Sequence, residues 1–137
     1  MSDIGFASIL PEGWQRARGF SYAVKGRGGT VVAVAGQVAR RGGAGDVDPA
    51  MGFAEQWAQA LGNVVALVRA AGGGAENIIA LRIYVTDMEA YRGAGAALGE
   101  AWRAHMGKHF PASTLVQVQA LVDRHALVEI VAEALLP

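Results

Sequence analysis

Hydrophobic and polar residues alternate along five segments of the chain and recur at helical spacing along two others. Alternation places every second side chain on one face of a β-strand, whereas recurrence at every third or fourth position marks one face of a helix. The resulting order, ββαβαββ, is that of a two-layer α+β domain with two helices on one face of a sheet. The pattern predicts strands at 20–24, 30–38, 77–87, 113–121 and 126–134, and helices at 49–71 and 89–107.

Two pairs of strands are separated by short turn-forming segments. The first pair flanks "KGRGG" at 25–29, whose adjacent glycines supply the positive φ of a tight turn, so a β-hairpin is predicted there. The last pair flanks "VDRH" at 122–125 and predicts a terminal hairpin. This terminal hairpin is expected to form one wall of a ligand cleft.

The first helix has a clear apolar stripe and a polar side. Pro49 suits its first turn after Asp48 as N-cap, and the glycines at 72–74 end it. The polar side is predicted to include Gln56. The apolar positions are Phe53, Trp57, Ala60, Leu61, Val64 and Val68.

The second helix contains three glycines, each of which costs about 1 kcal/mol relative to alanine inside a helix. Gly93, Gly95 and Gly99 therefore predict close packing against the sheet or a neighbouring subunit, with a glycine-rich composition as the alternative. Asp87, at the end of the preceding strand, is expected to cap this helix. Trp102 is expected to pack on the sheet.

Composition limits the classes of function. The 137 residues predict one domain spanning 1–137, and 12 basic residues balance 12 acidic ones, so no net field attracts nucleic acid or an anionic membrane. Without cysteine, disulfides and thiolate chemistry are excluded. No leader or spanning segment is evident, which predicts a cytoplasmic protein. A content of 53% hydrophobic and 18% charged residues favours an oligomer, or reflects abundant alanine.

Several short sequence motifs, taken in their order along the chain, resemble those of the Rid family (RidA/YjgF, reactive intermediate deaminases). They are "AGQV" at 35–38, "ALGNVVALVRAAGG" at 60–73, "IIALRIYVTDM" at 78–88, "FPAST" at 110–114 and "VEI" at 128–130. The resemblance covers residues 16–136. It implies a chorismate-mutase-like fold, assembled as a homotrimer whose sheets surround a central barrel, with ligand clefts between subunits. It also implies hydrolysis of small-molecule enamines or imines to a keto acid and ammonia, without metal or cofactor.

Some site positions of the family are kept. Gly36 and Gln37 match the family's "GQ", where the backbone approaches the ligand. Glu129 matches the glutamate that places or activates water, and the resemblance makes it the candidate catalytic residue. The alternative for Glu129 is a solvated strand position or an ion pair with an arginine.

Other site positions depart from the family. Ser113, Phe20 and Leu115 stand where the family has a carboxylate-binding arginine, a tyrosine and a cysteine. A serine hydroxyl cannot replace the two charge-assisted hydrogen bonds of a guanidinium, so small imino acids are expected to be poor substrates unless Arg18 or Arg82 reaches the cleft.

A further combination of motifs is most similar to an arginine-lacking branch that includes 2-aminomuconate deaminase-like proteins. The motifs are "RGFSYAV" at 18–24, "VAGQV" at 34–38, "RIYVTD" at 82–87 and "PAST" at 111–114 before "LVQVQALVD" at 115–123. The substrate implied is a conjugated enamine acid, held by hydrogen bonds from Ser113, Thr114 and the backbone near Gly36. For Arg82, an equally good alternative to a ligand-binding cation is a structural role. In that role its aliphatic carbons cover apolar surface while its guanidinium stays in water.

Other functions remain open at this point. One is a non-catalytic trimeric protein that binds a small ligand in the same cleft. Another is a ribonuclease, which the neutral charge and the lack of a basic aromatic stripe argue against. His105 and His109 have the i, i+4 spacing of helical metal ligands, but Gly107 predicts that the helix ends between them, so no metal site is expected.

Overall fold

The computed structural model describes residues 3–137, and its strands and helices follow the predicted order with one additional short strand at the N-terminus. None of the helices in this described part is long and apolar enough to cross a bilayer. The elements are β1 (Ala7–Ile9), β2 (Ala23–Lys25), β3 (Thr30–Gln37), α1 (Phe53–Ala70), β4 (Ile78–Val85), α2 (Met88–Gly93), α3 (Gly95–Met106), β5 (Ala112–Gln117) and β6 (Val128–Leu136).

The main sheet has four strands in the order β3-β6-β4-β5. Strand β4 runs parallel to the edge strand β5 and antiparallel to β6, which in turn pairs antiparallel with β3. Strands β1 and β2 form a separate two-stranded sheet. Ser21 joins this small sheet to the edge of β5, because its backbone N–H donates to the Pro111 carbonyl and its hydroxyl donates to the Phe110 carbonyl.

Helices α1 and α3 cover one face of the main sheet, as the apolar pattern predicts. Alternate residues of β4 and β6 are buried against Leu61, Val64 and Val68 of α1, each of which is completely inaccessible to solvent. The opposite face carries Arg82, Tyr84 and Glu129 and is left open within the chain. This arrangement confirms the two-layer α+β fold.

Both predicted hairpins are wrong in their pairing. Strand β2 pairs with β1, a three-residue strand whose largely exposed pattern has no clear alternation. Strand β6 lies between β3 and β4, so β5 and β6 are not neighbours. The connection at 118–127 passes from the edge strand to the interior of the sheet, which a tight turn could not do.

The first helix begins later than predicted. Its N-terminal residue is Phe53, with Gly52 as the cap, so Asp48 and Pro49 lie outside it. Gln56, predicted on the polar side, is buried. Its amide donates to the carbonyls of Met51 and His125 and accepts the N–H of Leu127, which ties the 118–127 connection to α1.

The second predicted helix is divided at Ala94 into α2 and α3. Asp87 caps α2 as predicted, accepting the N–H groups of Glu89 and Ala90. Side chains added at Gly93 and Gly95 would meet nothing within 4 Å, so close packing of these glycines against the sheet is wrong.

Asp123 fixes the same connection through its carboxylate. It accepts the N–H of Val47 at 2.9 Å and the N–H of His125 at 2.9 Å, and Arg40 Nε lies 4.0 Å away. The Val47 hydrogen bond, with the other two contacts, holds the pKa of the Asp123 carboxyl below its ordinary value of 3.8 despite burial. A carboxyl with a lowered folded-state pKa stabilises the fold at pH values above its unfolded-state pKa. This stabilisation is lost as the pH falls through the folded-state pKa.

We therefore expect Asp123→Asn to lower the free energy of unfolding by about 1.5–3 kcal/mol at neutral pH. The difference from the wild type should shrink as the pH falls below 3.8 towards the lowered folded-state pKa, because the wild-type carboxyl then loses its charge. Urea unfolding at pH 7 and pH 3 measures this difference in the free energy of unfolding. Asp46→Asn is the control, because Asp46 is exposed. An equal difference at both pH values would contradict the assignment.

Candidate functional site

Gly36 and Glu129 lie in direct contact on the open side of the main sheet. The register between β3 and β6 shifts between Val34 and Gln37, which marks a bulge at Gly36. A Cβ atom added at Gly36 would lie 2.6 Å from Cδ of Glu129. A side chain at this position would therefore force the half-buried Glu129 carboxylate to move.

Gln37 is adjacent, at the end of β3. Its side-chain amide donates to the Ala35 carbonyl at 3.1 Å, so it braces the bulge around Gly36. Gly36, Gln37 and Glu129 therefore lie close together in a single protomer.

The remaining predicted residues form a second group at the edge strand β5. Phe20, Ser113 and Leu115 line a cavity of about 400 Å³ between this edge and the helices. Thr114 faces the other way, into a shallower depression of about 290 Å³ that Phe20 and Ser113 share. Thr114 is exposed, whereas Ser113 and Leu115 are half-buried.

The two groups do not meet within one protomer. Ser113 is opposite Leu81 of β4 on the helix-covered face, whereas Glu129 is opposite Tyr84 on the open face. The two positions are also three residues apart along β4, about 10 Å. Ser113 and Glu129 therefore cannot act on the same atom of one ligand unless a second subunit contributes.

Of the two arginines predicted as substitutes for the missing cation, only Arg82 forms an ion pair among the residues that the structure describes. Arg82 donates to Glu133 at 3.0 Å on the open face. Arg18 lines the 400 Å³ cavity beside Ser113 and makes no ion pair within residues 3–137. The Ser113 hydroxyl donates to the Pro111 carbonyl at 3.2 Å.

Aromatic side chains complete the cavity wall, among them Trp57 and Trp102, which were predicted to pack in the core. Trp57 and Tyr91 have ring centroids 5.7 Å apart, and Trp102 stacks on Phe110 at 5.8 Å with an interplanar angle of 3°. Sequence periodicity identified Trp57 and Trp102 as core residues but gave no sign that they border a cavity. That cavity exists because the edge strand and the segment around Phe20 close over the helices.

The histidine pair is separated, as the predicted helix end requires. His105 packs over Gly62, where an added Cβ would lie 2.9 Å from its ring, whereas His109 Nε2 lies 2.7 Å from the Ile78 carbonyl. No three His, Cys, Asp or Glu side chains within residues 3–137 are placed to hold a metal ion together.

Comparison with known proteins identifies relatives along nearly the whole chain. The family model described as Endoribonuclease L-PSP matches residues 14–136. A Rid-family protein of unknown function from Yersinia pestis is 30% identical, with 96% of this chain and 98% of that chain covered and a TM-score of 0.79. A member of the YjgF/YER057c/UK114 family from Mycobacterium tuberculosis is 34% identical over 87% of this chain and 88% of that chain, with a TM-score of 0.61.

A protein of unknown function from Pseudomonas aeruginosa is also similar, at 33% identity over 95% of this chain and 87% of that chain, with a TM-score of 0.63. No curated protein matches the chain. The match to the family model and the relatives at 30% identity or more lead to one conclusion: this chain belongs to the YjgF/RidA (Rid) family.

Proposed function

We propose that the protein is a cofactor-free hydrolytic deaminase that acts on a conjugated enamine or imine acid of the 2-aminomuconate type. The observation that carries this proposal is the Gly36–Glu129 contact, which holds a half-buried carboxylate against exposed backbone. Backbone groups at the bulge can bind a ligand, and the carboxylate can exchange protons with it.

We propose further that the active unit is a homotrimer with its clefts between subunits. The open face and the edges of the sheet expose apolar side chains that a monomer would leave in water, including Val31 at 70% and Val116 at 41% exposure. An adjacent subunit would cover these residues. It would also allow the edge-strand group of one chain to approach the Glu129 group of another.

In the proposed reaction, the enamine gains a proton on carbon and loses one from nitrogen, which gives the imine. Water adds to the imine carbon, and the proton lost by the water passes to the nitrogen. The hydroxyl proton then passes to the amine nitrogen as the carbon–nitrogen bond breaks, so the products are a ketone and ammonia. Glu129 would accept the proton from water and return it to nitrogen.

The position of Ser113 predicts the substrate preference. We expect the wild type to release ammonia from enzymatically generated 2-aminomuconate and to act poorly on 2-aminoacrylate, because Ser113 provides no charge for a small carboxylate. Ser113→Arg is expected to increase the relative rate on 2-aminoacrylate. No release from either substrate above the spontaneous rate would contradict the proposal.

Gly36 provides a second test of the same contact. We expect Gly36→Val to lower kcat/KM about 10²-fold, because the new side chain must displace the Glu129 carboxylate by about an ångström or more. Gly29→Ala is the matched control, since an added Cβ there meets nothing within 4 Å. Equal activity of the two variants would show that the position of the carboxylate does not matter.

A non-catalytic small-ligand-binding protein is the second candidate function. The observation that favours it is the separation of Ser113 from Glu129 on opposite faces of the sheet, with the Ser113 hydroxyl already bonded to Pro111. Saturable binding of 2-aminomuconate without ammonia release would support this candidate over the deaminase.

A further inference from the structure

A second cavity, of about 460 Å³, lies between the small sheet and the turn that precedes β5. Its wall is formed by β1 and the residues beside it, by the segment 16–22 and by the turn at 108–110. It shares Phe20 with the 400 Å³ cavity, but neither Ser113 nor Glu129 lines it. The proposed reaction therefore leaves this second cavity without a role.

Hydrogen bonds join the walls of the second cavity to one another. The Ser8 hydroxyl donates to the Ser21 hydroxyl at 2.9 Å, and the Ser21 hydroxyl donates to the Phe110 carbonyl at 2.6 Å. His109, the residue before Phe110, is fixed by the contact of its Nε2 with the Ile78 carbonyl at 2.7 Å. Because these contacts connect all three parts of the wall, the cavity is formed without a ligand, as most small-molecule sites are.

The charge of the wall indicates the kind of ligand. Arg16, before β2, and Lys108, after α3, both line the cavity, and no Asp or Glu lines it within the described chain. Neither cation forms an ion pair with a carboxylate of residues 3–137. Arg16 also belongs to the segment 13–45, which has six basic residues and no acidic one although the whole chain is neutral. The local field therefore favours an anion.

The two cations differ in the way they bind an anion. A guanidinium presents a planar fork of donors that matches the oxygens of a carboxylate or a phosphate, whereas an ammonium acts as a point charge. Arg16 and Lys108 come from different elements, so together they suit a group with several oxygens and two negative charges.

The remaining wall indicates the body of the ligand. Tyr22 is 51% exposed and packs edge-on against Phe20, with ring centroids 5.4 Å apart and an interplanar angle of 84°. Flat rings pack well against other flat π-systems. Four aromatic residues line the cavity, namely Phe6, Phe20, Tyr22 and Phe110. A ligand with a planar ring therefore fits this wall.

We propose that this cavity binds a phosphate monoester that carries a planar ring, with Arg16 and Lys108 on the phosphate and the aromatic side chains against the ring. A phosphate monoester has a charge of about −1.5 to −2 at neutral pH, which matches the two cations. A single carboxylate would leave one of them without a partner. Nucleoside monophosphates are the simplest ligands of this class. The inference goes beyond the proposed deaminase, because it uses neither Ser113 nor Glu129.

AMP is the probe, and adenosine and inorganic phosphate each supply one half of it. Calorimetry of the wild-type protein at low ionic strength, where exposed charges are screened least, should show saturable binding of AMP. Adenosine should bind at least about tenfold more weakly, because it lacks the charged hydrogen bonds. Inorganic phosphate should bind about threefold to tenfold more weakly than AMP, because it has no ring to pack against the wall.

Variants of the two cations test the site itself. Arg16→Gln and Lys108→Gln should each weaken AMP binding about tenfold or more. Both side chains are exposed, so the variants should fold like the wild type. Arg69→Gln is the matched control. It removes the same charge from an exposed position near the end of α1 that does not line the cavity, and it should leave the affinity unchanged.

Absence of AMP binding at millimolar concentrations would overturn the inference, as would equal effects of Arg16→Gln, Lys108→Gln and Arg69→Gln. Equal affinities for AMP and inorganic phosphate would overturn the assigned ring contact and with it the ligand class. Equal affinities for AMP and adenosine would overturn the assignment of the two cations. None of these measurements involves ammonia release, so the deaminase proposal is tested separately.

Discussion

Replacing Glu129 with glutamine is expected to lower kcat for ammonia release by about 10²- to 10⁴-fold, the usual contribution of a general acid–base group. Glutamine has nearly the same shape, so the packing against Gly36 and the binding of substrate should persist. The loss should therefore appear in kcat with little change in KM, measured by steady-state ammonia release from 2-aminomuconate.

Glu133→Gln is the matched control for this variant. Glu133 lies on the same strand and the same face as Glu129, but it pairs with Arg82 at 3.0 Å. Such an exposed pair contributes little to stability, and we expect this variant to keep wild-type activity. Equal activity of Glu129→Gln and wild type would remove Glu129 from the mechanism.

Gln56→Leu is expected to cause the largest loss of stability, about 3 kcal/mol, because a residue of similar volume can make none of its three hydrogen bonds. The carbonyls of Met51 and His125 and the N–H of Leu127 would lose their partner. Thermal unfolding should show a decrease of about 10 °C in Tm.

Gln59→Leu is the control for the same helix. Within residues 3–137, the Gln59 amide donates to the Asn63 side chain, at 2.9 Å, and binds no backbone group. We expect it to change the free energy of unfolding by less than about 1 kcal/mol. Equal losses for the two variants would contradict the assigned role of Gln56.

The periodicity of apolar residues predicted the element order, the layer structure and the core side of α1 because burial of one face determines that pattern. It did not predict strand pairing, which depends on contacts between distant segments. The position of β6 between β3 and β4 requires the 118–127 connection, and that connection is held by Gln56 and Asp123. Polar side chains that bind distant backbone leave no periodic signal.

For the candidate site too, the sequence indicated which residues to consider but not how they are arranged in space. The resemblance singled out Gly36 and Glu129 separately, but the contact between them became visible only in the structure. The separation of Ser113 from Glu129 follows from their register on β4, which the sequence does not encode locally. That Trp57 and Trp102 border a cavity could be found only from the packing around them.

Ammonia release from 2-aminomuconate by wild-type protein, after removal of metals with a chelator, tests the central claim most directly. We predict a saturable rate well above that of spontaneous hydrolysis, with one ketone formed for each ammonia. A rate equal to the spontaneous one, at protein concentrations where the ligand is bound, would contradict the account and favour a binding protein.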